Sequence, residues 1–159
     1  MNIKLAAVLS LLVTAPSTAQ AIEFNNATYL LNNPLIQAVR ETGTFVVFDG
    51  PGCRDGFFGR YGYHAEKKIS LLEICDEKHT DTAELEDTVR HEAWHLVQRC
   101  KGGPLFTVND LKANASDELI NTVANRYKSE DHHHELEAFV VASEMSEEYI
   151  ADQLKKYCL

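Results

Sequence analysis

The chain has 159 residues, with 24 acidic and 15 basic side chains and a formal net charge of −9. This length suits one domain, and a domain of about 150 residues buries roughly two-thirds of its unfolded surface. A content of 45% hydrophobic and 25% charged residues is ordinary for a globular protein and excludes collagen, coiled-coil and low-complexity chains. Because nucleic acid and anionic membranes repel an acidic surface, we expect neither as a partner.

Residues 1–21 are typical of a secretory signal peptide. One lysine precedes the short apolar stretch of residues 5–13, and Ala19-Gln20-Ala21 offers small residues for cleavage. The apolar stretch is too short to span a bilayer about 30 Å thick. We therefore predict cleavage after Ala21, export (secretion or release into a periplasm), and a single mature domain of residues 22–159 without stable membrane insertion.

The cysteines predict disulfides. Cys53, Cys75, Cys100 and Cys158 all lie in the mature part, and an even number in an exported chain indicates two bonds. Of the three possible pairings we favour Cys53 with Cys75, both beside a predicted hairpin, and Cys100 with Cys158, both at helix ends. A zinc-binding cysteine cluster is disfavoured because no two cysteines have the C-x-x-C spacing.

In chain order, the first element predicted in the mature part is a short helix from Asn33-Pro34 to a stop at Gly43. Residues 44–48 have the composition of a buried strand that ends in a turn. Residues 56–62 are rich in glycine and aromatic residues, which predicts a loop leading into a strand. The alternation of residues 69–75 predicts a further strand.

Longer helices follow these strands. Asp81 can cap a second helix, which residues 102–104 (Gly-Gly-Pro) end. A third helix is expected to begin near Ser116, and a fourth to run from near Ser129 to about Tyr157. The order of elements predicts an α+β fold, with a short antiparallel or mixed sheet packed on the second helix and a helical C-terminal part.

The second predicted helix carries the motif His91-Glu92-Ala93-Trp94-His95, which is H-E-x-x-H. Residues at i and i+4 share a helix face, with about 5–6 Å between Cβ atoms, so both imidazoles can reach one Zn²⁺ ion. Glu92 can then hold a metal-bound water and act as general base when that water attacks a carbonyl. The motif is typical of metallopeptidases, and the structural alternative is two surface histidines with an exposed glutamate.

A catalytic zinc needs a third protein ligand. Gln98 and Lys101 stand where the extended motif H-E-x-x-H-x-x-G-x-x-H has glycine and histidine, so the third ligand must lie elsewhere. The densest downstream cluster is residues 131–138, with the sequence Asp-His-His-His-Glu-Leu-Glu-Ala.

With this motif and this cluster, residues 69–145 resemble the gluzincin metallopeptidases. The resemblance implies a small zincin-like domain in which His91, His95 and a downstream Glu135, in a Glu-x-x-Ala setting, hold Zn²⁺. Phe139 stands where these peptidases have the Asp or Asn that orients a ligand histidine, so that role is unassigned or moved in this chain.

The third ligand has competitors. Helical periodicity places Glu135 on the apolar side of the last predicted helix and Glu137 on the opposite, solvated side, which favours Glu135. Glu137, Asp131 or one of His132, His133 and His134 is the alternative.

The resemblance also implies an oxyanion stabiliser, because gluzincins use a downstream His or Tyr for this purpose. His134 and Tyr127 are the candidates. Neighbouring residues of a helix point about 100° apart, so three adjacent histidines cannot all face one ion. For any single member of this run, a surface position without function is the simpler expectation.

The sequence thus predicts a secreted zinc metallopeptidase that hydrolyses peptide or protein substrates with Glu92 as general base. The alternatives are a non-catalytic exported domain with a structural or vestigial zinc, and a disulfide-stapled binding module without metal. We further expect the strand at residues 69–75 to offer a free edge to an extended substrate.

Overall fold

The computed structural model describes residues 26–159, and the predicted signal peptide lies outside them. The fold is α+β, as predicted, with a three-stranded mixed sheet packed against a long central helix and with further helices after it. No helix within residues 26–159 has the length and apolar character to cross a membrane. The helices and strands are α1 (Asn26–Asn32), α2 (Pro34–Glu41), β1 (Phe45–Phe48), β2 (Gly59–His64), β3 (Ile69–Ile74), α3 (Thr82–Lys101), α4 (Val108–Asn114), α5 (Asp117–Arg126), α6 (His132–Glu144) and α7 (Glu147–Cys158).

Side-chain caps begin several helices where the sequence predicts them. Asn33 accepts a hydrogen bond from the Ile36 amide at the start of α2, and Asp81 accepts one from the Glu84 amide at the start of α3. Ser116 caps α5 in the same way. The short helices α1 and α4 are not predicted by the sequence pattern.

The last predicted helix is in fact two helices. Helix α6 ends at Glu144, the Met145 backbone is extended, and Ser146 caps α7 by accepting a hydrogen bond from the Tyr149 amide. Apolar residues continue at helical spacing across this break, so periodicity alone predicts one continuous helix. The capping serine is the local signal that marks the new start.

The strand order is β1-β3-β2, with β1 parallel and β2 antiparallel to β3. Both edges of β3 are therefore paired, so the expectation that residues 69–75 present a free edge is wrong. The edge strand nearest the H-E-x-x-H helix is β2, which begins within the segment predicted as a loop. A Cβ atom placed on Gly59 of β2 would lie only 2.9 Å from Glu92 Cγ.

The main core lies between the sheet and helices α2, α3 and α7. Trp94 is fully buried there, so it packs rather than facing the cleft. A smaller apolar cluster holds α4 and α5 on α6, and its buried members are Leu111, Val123, Leu136 and Val140. Helix α6 thus contacts α3 through the main core and contacts α4 and α5 through the smaller cluster.

The two disulfides have the favoured pairing. Cys53 is bonded to Cys75 and so ties the turn before β2 to the end of β3. Cys100 is bonded to Cys158 and so ties the end of α3 to the end of α7. These bonds are consistent with an extracellular location.

Candidate metal centre

His91 and His95 of α3 meet Glu135 from the first turn of α6. Glu135 Oε2 lies 3.4 Å from His91 Nε2, and Glu135 Oε1 lies 3.6 Å from His95 Nε2. The two Nε2 atoms are 3.1 Å apart, and the three ligand atoms all lie within 4.8 Å of one another. These three side chains can therefore hold one metal ion. Two imidazoles and one carboxylate suit a divalent ion of the zinc type.

Small side chains let the two ligand-bearing helices approach closely. Ala93 lies between the motif histidines on α3, and Ala138 follows Glu135 by one turn on α6; both are fully buried. A larger side chain at either position would push the two helices apart. This packing brings a carboxylate from α6 to a histidine pair on α3.

Without a metal, the ligand group is a compact set of hydrogen bonds and charges. Burial alone would raise the pKa of Glu135, but hydrogen bonds from His91 and His95 outweigh burial and lower it to about 2. Burial alone would lower the pKa of His95, yet the hydrogen bond to Glu135 and the charge of Glu92 raise it above its usual value. A cation bound at His95 Nε2 would compete with a proton for that nitrogen.

Glu92 lies beside the ligand group and contributes no atom to it. Its side chain is buried at 8% exposure. Burial raises its pKa, although the charges of the neighbouring His91 and His95, and to a lesser degree the backbone of Tyr61 in β2, oppose that shift. A carboxylate whose pKa is raised toward neutrality is suited to accept a proton as a general base.

Glu137 is fully buried, which corrects its predicted place on the solvated side of the helix. Its carboxylate accepts hydrogen bonds from Trp94 Nε1 at 3.0 Å and Gln98 Nε2 at 2.6 Å, and from the backbone amides of Leu105 and Phe106 at 2.5 and 2.6 Å. The chain that follows α3 folds back over this face of α6 and covers it. Glu137 is therefore saturated by these donors and is not the third ligand.

The histidine run divides into two kinds of residue. His132 Nε2 lies 2.9 Å from the Tyr127 carbonyl and His133 Nε2 lies 2.8 Å from the Phe106 carbonyl, so both rings are tied to the backbone. The metal-binding group found within residues 26–159 includes no member of the run. His134 faces a cavity that reaches the metal centre.

Two cavities adjoin the metal centre. One, of about 430 Å³, is lined by His95, Glu135, His134, Asp131 and Arg99, among others. The other, of about 700 Å³, is lined by His91, Glu92 and Tyr127 and by apolar side chains that include Phe57, Phe58, Leu119 and Phe139. The ligand group is thus accessible from two sides, as a site that must admit a substrate requires.

Tyr127 and His134, the two predicted oxyanion stabilisers, lie in different cavities. Burial raises the pKa of Tyr127 to about 12, and the charge of Glu135 and a hydrogen bond to it add to that rise. The Tyr127 hydroxyl therefore stays protonated at neutral pH and can donate a hydrogen bond. The structure brings Tyr127 next to a ligand and His134 into the neighbouring cavity.

The environments of the two ligand histidines differ. The ring of Phe139 lies 4.3 Å from that of His91, and His91 Nδ1 is buried without a hydrogen-bond partner among the described residues. His95 Nδ1 instead lies 2.8 Å from Gln98 Oε1. No motif marks Gln98 as a functional residue, and its spacing of one turn from His95 is the only local signal for this contact.

Neither a curated protein nor a solved structure matches the chain. The family model described as Domain of unknown function (DUF8637) matches residues 22–159. That description names no activity, so the chemistry of this protein has to be inferred from the metal centre itself. The match spans most of the sequence, and the chain therefore belongs to the DUF8637 family.

Proposed function

We propose that this protein is an exported zinc-dependent metallopeptidase. The observation that carries the proposal is the group of His91, His95 and Glu135, placed beside the buried Glu92 and open to two cavities. A catalytic zinc has three protein ligands and an open fourth coordination position, whereas a structural zinc is closed by four protein ligands. The disulfides and the predicted signal peptide support export.

The side chains around the site can divide the work of peptide hydrolysis. When bound, zinc supplies a more acidic water molecule and a polarised substrate carbonyl. Glu92 accepts the proton of the attacking water and passes it to the leaving amine, a task that its raised pKa favours. Tyr127 or His134 donates a hydrogen bond to the oxyanion, each from its own side of the site.

An extended peptide is the substrate class that the surroundings favour. Strand β2 is at the edge of the sheet, and its residues Gly59 and Tyr61 line the two cavities beside the metal centre. Such an edge can hold a peptide by backbone hydrogen bonds while neighbouring cavities take its side chains. We therefore expect the substrate to lie along β2 rather than along β3.

The proposal is tested with the mature protein, residues 22–159, produced with its disulfides intact. Metal analysis should find about one zinc per chain, as a single three-ligand site predicts. Glu92→Gln should lower the rate of cleavage of a reduced, alkylated protein substrate by about 10²–10⁴-fold while the zinc stays bound. Glu144→Gln, the same change at an exposed position of α6, is the matched control and should keep full activity.

Two outcomes would contradict the proposal. Equal cleavage rates for the wild type and Glu92→Gln would reject Glu92 as the base. A wild-type protein that binds zinc and cleaves no unfolded substrate would identify the site as a non-catalytic one.

A further inference from the structure

We propose that Gln98, anchored by Glu137, is the positioning residue of the metal centre. In this arrangement it fixes the orientation and the proton of the His95 ring so that Nε2 faces the ion. The inference rests on the proposed metal site and concerns how that site is held. Phe139 cannot orient a ligand histidine through a hydrogen bond, and Gln98 of α3 has this role in our proposal.

The orientation of the Gln98 amide follows from its neighbours. Gln98 Nε2 lies 2.6 Å from Glu137 Oε2 and 3.0 Å from the carbonyl oxygen of His134, and both of these atoms can only accept hydrogen bonds. The NH₂ group must face them, so Oε1 faces His95. Gln98 is only 2% exposed, so water does not compete for these contacts.

The amide oxygen in turn fixes the state of the His95 ring. Gln98 Oε1 lies 2.8 Å from His95 Nδ1, and a carbonyl oxygen has no hydrogen to give. Nδ1 must therefore carry the proton in this contact. The lone pair of the neutral ring is left on Nε2, which is the atom that points toward His91 and Glu135.

Glu137 makes the anchor rigid and charged. Besides Gln98, it is held by the Trp94 indole and by two consecutive backbone amides, those of Leu105 and Phe106. These donors compensate the cost of burying a carboxylate, and hydrogen bonds to a charged group are stronger than neutral ones. The negative charge also polarises the Gln98 amide, which strengthens its oxygen as an acceptor for His95.

His91 has no comparable support. Its Nδ1 atom has no hydrogen-bond partner in the described part of the chain, and the Phe139 ring packs against it instead. The hydrogen-bonded support of the metal centre is therefore concentrated on His95. Residues that orient a ligand histidine are commonly worth about 10–100-fold in metal affinity, so the loss of Gln98 should be measurable.

The test measures the dissociation constant of zinc by competition with a chelator, and activity is not needed. Gln98→Ala should weaken binding by about 10–100-fold. Glu137→Gln should also weaken zinc binding, although Gln98 is intact. The NH₂ group introduced at position 137 would face the NH₂ group of Gln98, and the repulsion would turn the Gln98 amide away from His95. Val97→Ala is the control, since it truncates a fully buried apolar side chain next to Gln98 on α3 and removes no hydrogen bond.

A charge exchange gives the sharper result. Gln98→Glu alone puts two carboxylates in contact and should weaken zinc binding. The double variant Gln98→Glu with Glu137→Gln restores an acceptor at His95 and a donor between the two side chains. It also turns a carboxylate oxygen toward the His134 carbonyl, which loses its donor. The double variant should therefore bind zinc more tightly than Gln98→Glu alone without reaching the wild-type affinity, a non-additive recovery that general loss of stability does not produce.

A second readout follows the His95 ring directly by ¹H–¹⁵N NMR. In the zinc-loaded wild type, the Nδ1–H proton should exchange slowly with solvent, and Gln98→Ala should make it exchange fast.

The failures of the two proposals can be told apart. Folded Gln98→Ala protein with wild-type zinc affinity would overturn the positioning role and leave the metal site intact. An equal loss of affinity in Val97→Ala and Gln98→Ala would also overturn it, because packing alone would then explain the effect. A wild-type protein that binds no zinc would reject the metal site, and the positioning role with it.

Discussion

Replacing Gly59 by alanine tests how closely β2 packs against the general base. A Cβ atom at this position would lie 2.7 Å from Thr88 Cγ2 and 2.9 Å from Glu92 Cγ, both on α3. Neither neighbour can yield freely. The Thr88 hydroxyl donates to the Glu84 carbonyl at 3.0 Å, which holds its rotamer, and moving Glu92 Cγ moves the carboxylate.

The expected size of the effect combines two opposing contributions. Inserting a methyl group into a packed contact costs about 1–3 kcal/mol. Replacing glycine by alanine returns about 0.4–1 kcal/mol, because it restricts the unfolded chain. Gly59→Ala should therefore lower the free energy of unfolding by about 1–2 kcal/mol. Displacement of Glu92 by about 1 Å should also reduce peptidase activity by about 10²-fold.

Gly62→Ala is the matched control, because Gly62 lies on the same strand and a Cβ atom there meets nothing within 4 Å. It should leave stability unchanged or raise it by up to about 1 kcal/mol. In urea the midpoints of the two variants should differ by about 1 M, given a slope of about 2 kcal/mol/M. Adding Thr88→Ser to Gly59→Ala deletes Cγ2 and keeps the hydroxyl, so it should restore part of the stability. Equal midpoints for Gly59→Ala and Gly62→Ala would refute the close contact between β2 and α3.

Two further predictions concern stability. The Cys100–Cys158 bond spans 58 residues and the Cys53–Cys75 bond spans 22. From the entropy of loop closure, we expect them to contribute about 4 and about 3 kcal/mol, respectively, to the free energy of unfolding. Urea unfolding of the two double-serine variants should show the larger loss for the longer loop, and the reverse order would contradict this reasoning. In the metal-free protein the pKa of Glu135 is lowered from 4.5 to about 2. Its contribution to stability is therefore present above about pH 4.5 and lost as the pH falls toward 2. Between about pH 5 and about pH 3, the urea midpoint should fall more for the wild type than for Glu135→Gln. Equal falls would count against the interaction of Glu135 with His91 and His95.

Features that depend on neighbours in sequence could be predicted. The caps at Asn33, Asp81 and Ser116 each join a side chain to an amide three residues on, so a short stretch of sequence contains the whole interaction. The pairing of His91 with His95 is equally local, because helical geometry alone puts them on one face. Glu135 was favoured as their partner because it shares a helix face with apolar residues.

Several features that depend on distant parts of the chain could not be predicted. Glu137 was placed on the solvated side because its own helix offers no cover, and the cover comes from the backbone of Leu105 and Phe106. Its donors Trp94 and Gln98 lie one turn apart on another helix. Strand β3 lies in the centre of the sheet because both β1 and β2 pair with it. The order of the strands along the chain does not determine which of them pair.

The segment between α3 and α6 separates the lining of the larger cavity from the metal ligands. Residues 102–131 hold α4 and α5, supply none of the three metal ligands, and line the larger cavity through Leu119, Arg126 and Tyr127. The metal ligands lie on α3 and α6 instead. Substitutions at Leu119 or Arg126 can therefore change which side chains the larger cavity accepts while all three metal ligands stay in place.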